Sequence, residues 1–282
     1  MSELVFEPMS VGGILDRSFR LYRQRFVRFL AIVAIIQVPL HLLTLAFTVF
    51  ITFGLGSMQG SSDSESAAIL FAVLGLGWVL FVLLTVVGQQ LSTAALLKGV
   101  SESYLGRDVS VGQAYRFVVP KLLSLIGSAL LVGLIAGLGY MLCVVPGVIF
   151  SLWYALTAPS IVLEGHRALG GMARSKQLAS GNLGRIFLVF LVVFLITIAF
   201  TLVFQMAGQF LAMALLAQQP LAAMALQQLL QMIPAILIMP IGAAATALLY
   251  YDLRIRKEGF DLEMLAERLS AQEATGSDEP TL

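Results

Sequence analysis

Residues 186–251 read IFLVFLVVFLITIAFTLVFQMAGQFLAMALLAQQPLAAMALQQLLQMIPAILIMPIGAAATALLYY and contain no Asp, Glu, Lys or Arg. A helix needs about 20 residues to cross a hydrocarbon core about 30 Å thick. The stretch is therefore long enough for two transmembrane helices, with Gln218-Gln219-Pro220 as the polar connection between them. This single run predicts an all-α membrane protein.

Three further charge-free stretches precede it, at 29–62, 66–97 and 122–163. The first two each hold one span, and Pro146-Gly147 divides the third into two because this pair favours a tight reversal. The polar stretch Gly54–Ser66 forms a loop, whereas Leu221–Gln231 either lies at the interface or lengthens a span. Six spans result, at about 29–53, 67–97, 122–145, 148–164, 186–216 and 232–252.

The basic residues are sorted to one side of this pattern. All 17 Lys and Arg fall within residues 17–28, 98–121, 167–185 and 254–268, while the other connections carry only Asp63 and Glu65. Because cytoplasmic loops retain Lys and Arg, this distribution predicts a multi-pass protein of the bacterial plasma membrane with both termini in the cytoplasm.

The composition excludes several functional classes. The chain is 59% hydrophobic and 12% charged, which is too apolar for an ordinary soluble domain. A lone Cys143 provides neither an internal disulfide nor a Cys-based metal cluster. We expect no cofactor, no metal, no catalytic residue and no nucleic-acid partner, and the uncharged spans argue against ion-coupled transport.

A short motif recurs at the start of three basic segments. SVGGIL at Ser10–Leu15 returns as SVGQAY at Ser110–Tyr115 and more weakly as ALGGMA at Ala168–Ala173. A Thr-Ala pair also lies near the inner end of each return span, at Thr93-Ala94, Thr157-Ala158 and Thr246-Ala247. The pattern predicts three units, each an interfacial helix followed by a transmembrane hairpin, arranged as parallel repeats.

The first basic segment has the spacing of an amphipathic helix. Its apolar stripe consists of Leu15, Phe19, Tyr22, Phe26 and Phe29, at steps of four and three. Four arginines on the remaining surface are candidates for contact with anionic lipid headgroups at the inner leaflet: Arg17, Arg20, Arg23 and Arg28. The alternative is a topology signal without a dedicated headgroup site.

Uncharged polar residues interrupt the spans at a few positions. The candidate intramembrane polar site consists of Gln37, His41, Gln90 and Gln205. These side chains either form hydrogen bonds between helices or line a polar pathway. Prolines at 39, 159, 234 and 240 predict bent helices, whose freed carbonyls need partners.

Three stretches, taken in order, resemble a known bacterial family. They are Ser10–Phe29 (SVGGILDRSFRLYRQRFVRF), Val145–Ser175 (VPGVIFSLWYALTAPSIVLEGHRALGGMARS) and Leu248–Leu262 (LLYYDLRIRKEGFDL). They are similar to proteins related to the membrane domain of glycerophosphoryl diester phosphodiesterases. The resemblance implies a six-span inner-membrane protein. It implies no hydrolase activity, because the acidic ligands and histidines of the catalytic barrel have no counterpart after Leu269.

Together these patterns predict one transmembrane domain over residues 1–269 and a disordered cytoplasmic tail over 270–282. The expected function is that of a non-enzymatic, lipid-interacting or partner-organising scaffold with an arginine-rich cytoplasmic face. Its partners would be membrane lipids and a membrane protein. The alternative is a transporter or channel for an uncharged or amphipathic solute, which requires a continuous polar cavity beside His41, Gln90 or Gln205.

Overall fold

The computed structural model describes residues 8–58 and 64–259, and this part of the chain is all-α. Ten α-helices follow one another: α1 Val11–Gln24, α2 Phe26–Met58, α3 Ser64–Tyr104, α4 Val111–Val118, α5 Leu122–Leu142, α6 Val144–Tyr154, α7 Thr157–Glu164, α8 Ala168–Ala179, α9 Leu183–Leu215 and α10 Pro220–Glu258. A single 3-10 turn, Val119–Lys121, joins α4 to α5. The described residues contain no strand.

Six segments are long and apolar enough to cross a membrane, which confirms the predicted fold class. They are Phe26–Gly54, Phe71–Tyr104, Val111–Leu142, Val144–Glu164, Leu183–Leu215 and Pro220–Glu258. The helices exceed the predicted spans because a helix continues past the hydrocarbon core wherever its backbone hydrogen bonds remain satisfied. The predicted tail at 270–282 lies outside the described residues.

Three boundaries differ from the sequence-based assignment. The predicted loop over Gly54–Ser66 is shorter, since α2 continues to Met58 and α3 begins at Ser64. Residues 221–231 belong to α10, so they lengthen the sixth span. The fourth span is broken into α6 and α7, and α7 begins two residues before Pro159, which lies in its first turn.

The turn between α5 and α6 lies slightly before its predicted position. The chain reverses at Cys143, whose backbone is extended, and Pro146-Gly147 falls in the first turn of α6. Gly139 and Gly147 let the two helices approach closely, because a Cβ on Gly147 would collide with the ring of Tyr140. Gly133 and Gly137, by contrast, have open space at the position of a Cβ.

The order of elements follows the predicted threefold pattern. A short helix precedes a hairpin three times: α1 before α2 and α3, α4 before α5 and α6–α7, and α8 before α9 and α10. Ser10 and Ser110 cap α1 and α4 with their hydroxyl groups, which accept hydrogen bonds from Gly13 and Gln113. The weaker third copy lacks such a cap, since Arg167 precedes α8 and makes no capping side-chain bond.

We call the end of the bundle that carries α1, α4 and α8 the basic end, and the opposite end the far end. Four glycines with left-handed backbones end helices at the basic end: Gly106, Gly165, Gly181 and Gly259. At these positions φ lies between 65° and 80°, a conformation that side chains with a Cβ rarely adopt. The tight turns of the basic end therefore depend on glycine.

The predicted stripe on α1 is offset from the buried one. Ile14, Ser18, Leu21 and Tyr22 are the buried residues of α1, whereas Phe19 and Phe26 are 37% and 40% exposed. The helix ends at Gln24, so Phe26 and Phe29 belong to α2 rather than to a continuous amphipathic helix. Thus α1 packs into the bundle on one side and presents Phe19 on the other.

A buried carboxylate joins the first and third units at the basic end. Asp252 on α10 is fully buried and accepts a hydrogen bond from the Met9 backbone N–H at 2.7 Å. Its Oδ2 lies 3.0 Å from Arg256 Nε and 2.9 Å from Arg185 Nε. Arg256 also donates to the Met9 carbonyl at 3.0 Å, so the segment before α1 is held from both sides.

A second ionic cluster joins the second and third units. Arg174 on α8 donates to Glu164 at 2.8 Å and also to Glu258 near the end of α10. Hydrogen bonds to Glu258 and then Glu164 raise the pKa of Arg174 above its ordinary value, so the guanidinium stays charged. Arg254 Nε lies 3.3 Å from both carboxylates, and its contact with Glu258 has the i, i+4 spacing of a helical pair.

Candidate intramembrane binding site

An elongated cavity of about 620 Å³ lies between helices of all three units. Its volume falls in the range of about 300–1,000 Å³ that is typical of small-molecule sites. Its polar lining residues are Gln37 and His41 of α2, Gln89 and Thr93 of α3, Thr197 and Thr201 of α9, and Gln231 and Thr246 of α10. The second unit contributes Ala158 and Pro159 of α7.

The stripe of lining residues on α10 gives the length of the cavity. Gln231, Pro234, Ile238, Gly242 and Thr246 recur at steps of three and four along one side of this helix. At a rise of 1.5 Å per residue, the lined part of α10 is about 22 Å long. The cavity therefore follows the helix through most of a hydrocarbon core about 30 Å thick.

Two glutamines meet halfway along the cavity. Gln37 is 5% exposed, and its Nε2 donates to Gln89 Oε1 at 2.9 Å and approaches the sulfur of Met239 at 3.5 Å. This contact joins α2, α3 and α10. Amide groups at membrane depth require hydrogen-bond partners, and Gln37 finds one in Gln89 on a neighbouring helix. The predicted polar residue Gln37 is therefore an interhelical contact that also faces the cavity.

His41 lies one turn beyond Gln37 on α2, following Pro39. Its Nδ1 is 3.1 Å from the carbonyl oxygen of Gln37, and its side chain is half-buried and lines the cavity. Thr197 and Thr246 donate to carbonyls of their own helices, which leaves the oxygens of both hydroxyls able to accept a hydrogen bond. The lining thus offers amide, imidazole and hydroxyl groups within an apolar wall.

The four sequence-predicted polar residues do not form one site. Gln37 and His41 line the cavity, whereas Gln90 and Gln205 are not among its described lining residues. Gln89 takes the place expected of Gln90, because adjacent residues on a helix point about 100° apart. Gln205 is exposed on α9, one turn beyond Thr201, and is not among the residues that line the cavity.

The cavity ends before the basic end. Beyond Thr246 on α10, the next four residues, from Ala247 to Tyr250, are each 0% exposed. Leu156, between α6 and α7, is also fully buried, and Leu97 of α3 is 1% exposed. These buried side chains close the cavity toward the basic end, and Leu97 forms part of its wall.

A comparison with protein families gave one match. Residues 109–253, just over half of the chain, match a family described as a domain of unknown function, DUF7847. The chain belongs to this family. No curated protein matched the chain, and no solved structure matched it.

The matched segment runs from α4 into the last part of α10, and it contains the second and third units. The cavity residues of α7, α9 and α10 therefore lie within the family segment. Gln37, His41, Gln89 and Thr93 lie in the first unit, outside it. The central polar contact of the cavity is thus a feature of this chain that the family match does not cover.

The four candidate lipid-contact arginines divide into two pairs. Arg28 is 2.8 Å from Asp108, and Arg17 lies 5.3 Å from the ring centre of Tyr104. Arg20 and Arg23 are exposed and line an open depression on α1 with Asp16, Phe19 and Gln24. Only the second pair therefore combines solvent exposure with a concave surface.

Proposed function

We propose that this protein binds an uncharged, amphipathic molecule within its six-helix bundle, in the cavity beside Gln37 and His41. The main observation that supports this proposal is the elongated cavity of about 620 Å³, which has amide, imidazole and hydroxyl groups along an otherwise apolar wall. Such a lining suits a ligand that has a hydrogen-bonding group and a long apolar part.

The lining also argues for a ligand without net charge. None of the described cavity residues is Asp, Glu, Lys or Arg. A charged group at membrane depth is costly unless it is paired with an opposite charge. The ligand class that fits best is a lipid-like molecule with a hydroxyl, amide or carbonyl headgroup.

The packed layer below Thr246 favours a binding site over an open channel. A continuous channel needs a gap between the helices at the basic end, where α10 is fully buried from Ala247 to Tyr250. Since the basic end is closed, the ligand would enter from the membrane or from the far end. The predicted partner-organising scaffold stays a prediction.

The experiment compares two glutamine substitutions in transmembrane helices. Gln37→Leu removes the central polar contact of the cavity, and Gln205→Leu makes the same chemical change at an exposed position outside it. Each protein is purified from native membranes in mild detergent, and its retained small molecules are identified by native mass spectrometry and solvent extraction.

We expect Gln37→Leu to lose a molecule that the wild type and Gln205→Leu both retain. Losing one hydrogen bond of about 1–2 kcal/mol predicts about a tenfold reduction in occupancy. Identical molecules in identical amounts from all three proteins would overturn the proposal. Thermal unfolding of each protein shows whether the variant is still folded.

Transport is the second candidate, and one observation favours it. The cavity follows about 22 Å of α10, and Pro234 and Pro240 lie inside this helix, where they remove backbone hydrogen bonds. A rearrangement of α10 could then open the packed layer. Reconstituted vesicles, assayed for transbilayer movement of a fluorescent diacylglycerol analogue, would show transport only in the wild type and Gln205→Leu.

We further propose that the basic end faces the cytoplasm of a bacterium, as the sorted Lys and Arg suggest. We also retain as a proposal the relation to the phosphodiesterase membrane domain, without its hydrolase activity. Reporter fusions after Gly259 and within residues 59–63 would test the orientation. A reporter active only outside the cell at Gly259 would contradict it.

A further inference from the structure

The outward side of α1 has a composition unlike the rest of the basic end. Asp16, Phe19, Arg20, Arg23 and Gln24 line an open depression of about 540 Å³. These positions lie opposite the buried Ile14, Ser18 and Leu21 of the same helix. The depression therefore lies on a helix that is anchored in the core and exposed on its other side.

The charges of two neighbouring arginines are paired with a carboxylate of the protein. Arg25 and Arg28 lie 2.7 Å and 2.8 Å from Asp108. By contrast, Arg20 and Arg23 have no carboxylate within 4.0 Å among residues 8–58 and 64–259. With Asp16 included, the depression carries a net charge of one positive unit, which matches a single phosphodiester.

Aromatic and apolar side chains continue from the depression toward the membrane. Phe19 is 37% exposed, Phe26 is 40% exposed and Val27 is 76% exposed. Phe19 and Arg23 are one turn apart on α1, so they lie on one side of this helix, and Phe26 follows at the start of α2. An apolar surface beside paired guanidinium groups fits a lipid rather than a free phosphate.

We propose that α1 binds the headgroup of one anionic phospholipid in this depression. Arg20 and Arg23 donate hydrogen bonds to the phosphodiester, Asp16 accepts one from a headgroup hydroxyl, and Phe19 and Phe26 contact the acyl chains. The ligand class is a phospholipid with one negative charge and a hydroxylated headgroup, such as phosphatidylglycerol. This site is separate from the intramembrane cavity, and the inference does not rest on the proposed function.

The test measures phosphatidylglycerol bound to the purified full-length protein in mixed micelles by native mass spectrometry. The variant Arg20→Gln/Arg23→Gln removes both cations of the depression. Arg116→Gln/Arg167→Gln is the matched control, because both arginines are exposed and lie on the basic end but outside α1. Because each cation near an anionic lipid surface strengthens binding, the first variant should lose bound lipid at least about tenfold.

The control should change binding less than about twofold, and Asp16→Asn should raise it, because the substitution removes a negative charge beside the phosphate. Glycerol phosphate in solution should not displace the lipid. Equal binding by the wild type and Arg20→Gln/Arg23→Gln would overturn the proposal, as would an equal loss in the control. Displacement by glycerol phosphate would identify a free-phosphate site instead and would also overturn it.

A third outcome concerns residues 260–282, which contain several acidic side chains. If this segment occupied the depression, the wild type would bind no more phosphatidylglycerol than Arg20→Gln/Arg23→Gln does. A protein shortened to end at Gly259 would then bind more lipid than the wild type. That combination would contradict the lipid assignment.

Discussion

The two ends of the bundle are built from similar helices but are packed differently. At the basic end, Leu248 and Tyr250 are 0% exposed, and the buried Asp252 and the partly buried Glu164 connect all three units. Toward the far end, Leu202 of α9 is 50% exposed, and the helices part around a cavity. Hydrophobicity does not explain the difference, because both regions are strongly apolar.

The comparison shows what holds a membrane bundle together. An apolar side chain gains little by leaving lipid for another helix, so close packing and polar contacts must provide the stability. The basic end has both, since Asp252 and Arg174 each join helices from different units. At the far end, the ring centres of Phe47 and Phe81 lie 4.5 Å apart. Beyond this contact, few of the described side chains are buried.

The largest expected effect comes from breaking the buried ionic contact of the basic end. Asp252→Asn leaves Arg185 and Arg256 without their carboxylate and weakens the attachment of Met9. Removing one partner of a buried pair costs about 3–5 kcal/mol of unfolding free energy. Unfolding in mixed detergent micelles measures this loss, and Asp108→Asn, at an exposed carboxylate, should lose far less.

Substituting one leucine by alanine at each end of the bundle compares the packing of the two ends directly. Leu248→Ala leaves a gap in the fully buried layer and should cost about 2 kcal/mol or more of unfolding free energy. Leu202→Ala changes a side chain that faces lipid and should cost less than about 0.5 kcal/mol. The same detergent titration compares both variants, and equal losses would contradict the difference in packing.

The turn between α5 and α6 is a closely packed point at the otherwise loosely packed far end. A Cβ at Gly147 would collide with the ring of Tyr140, so Gly147→Ala should cost about 1–3 kcal/mol. Gly137→Ala is the control, because a Cβ there meets open space. Thermal unfolding should separate the two variants, with Gly137→Ala as stable as the wild type.

The smallest expected effect is the pH dependence contributed by Asp108. A hydrogen bond from Arg28, together with the charge of Arg25, lowers the pKa of Asp108 below its usual value. A carboxylate whose pKa is lowered in the folded state stabilises the protein at pH values above its unfolded-state pKa of about 4. This stabilisation is lost as the pH falls through the folded-state pKa.

Asp108→Asn should therefore melt slightly below the wild type at neutral pH, by at most about 2 °C because the carboxylate is exposed. The difference should disappear in strongly acidic solution. Melting curves between neutral pH and pH values well below 4 would measure it. A difference that grows on acidification would show that the sign of the linkage is wrong.

The spans could be predicted because the thickness of the bilayer sets the minimum length of a charge-free helix that crosses it. Ser10 and Ser110 were identified as equivalent positions, and both cap helices in the structure. The contact between Asp252 and Arg256, at 3.0 Å, has the i, i+4 spacing of a helical pair. Lys257 donates to the carbonyl of Gln177 on α8.

The cavity could be predicted only in part, because its lining depends on which faces of distant helices meet. Gln37 and His41 were identified from their chemistry, whereas the choice between Gln89 and Gln90 required the rotation of α3. Thr197 and Thr201 were missed, although their i, i+4 spacing places them on one side of α9. Likewise, Arg185 meets Asp252 across two helices, a contact that no local spacing indicates.

The most direct test of the cavity as a binding site uses a photoreactive leucine analogue at two positions. Ile238 lines the cavity and is 5% exposed, whereas Leu202 is 50% exposed. Irradiation of native membranes, followed by mass spectrometry of the modified protein, identifies what lies beside each position. We expect an uncharged amphipathic adduct at position 238 and bulk phospholipid at position 202. The same adducts in the same proportions at both positions would contradict it.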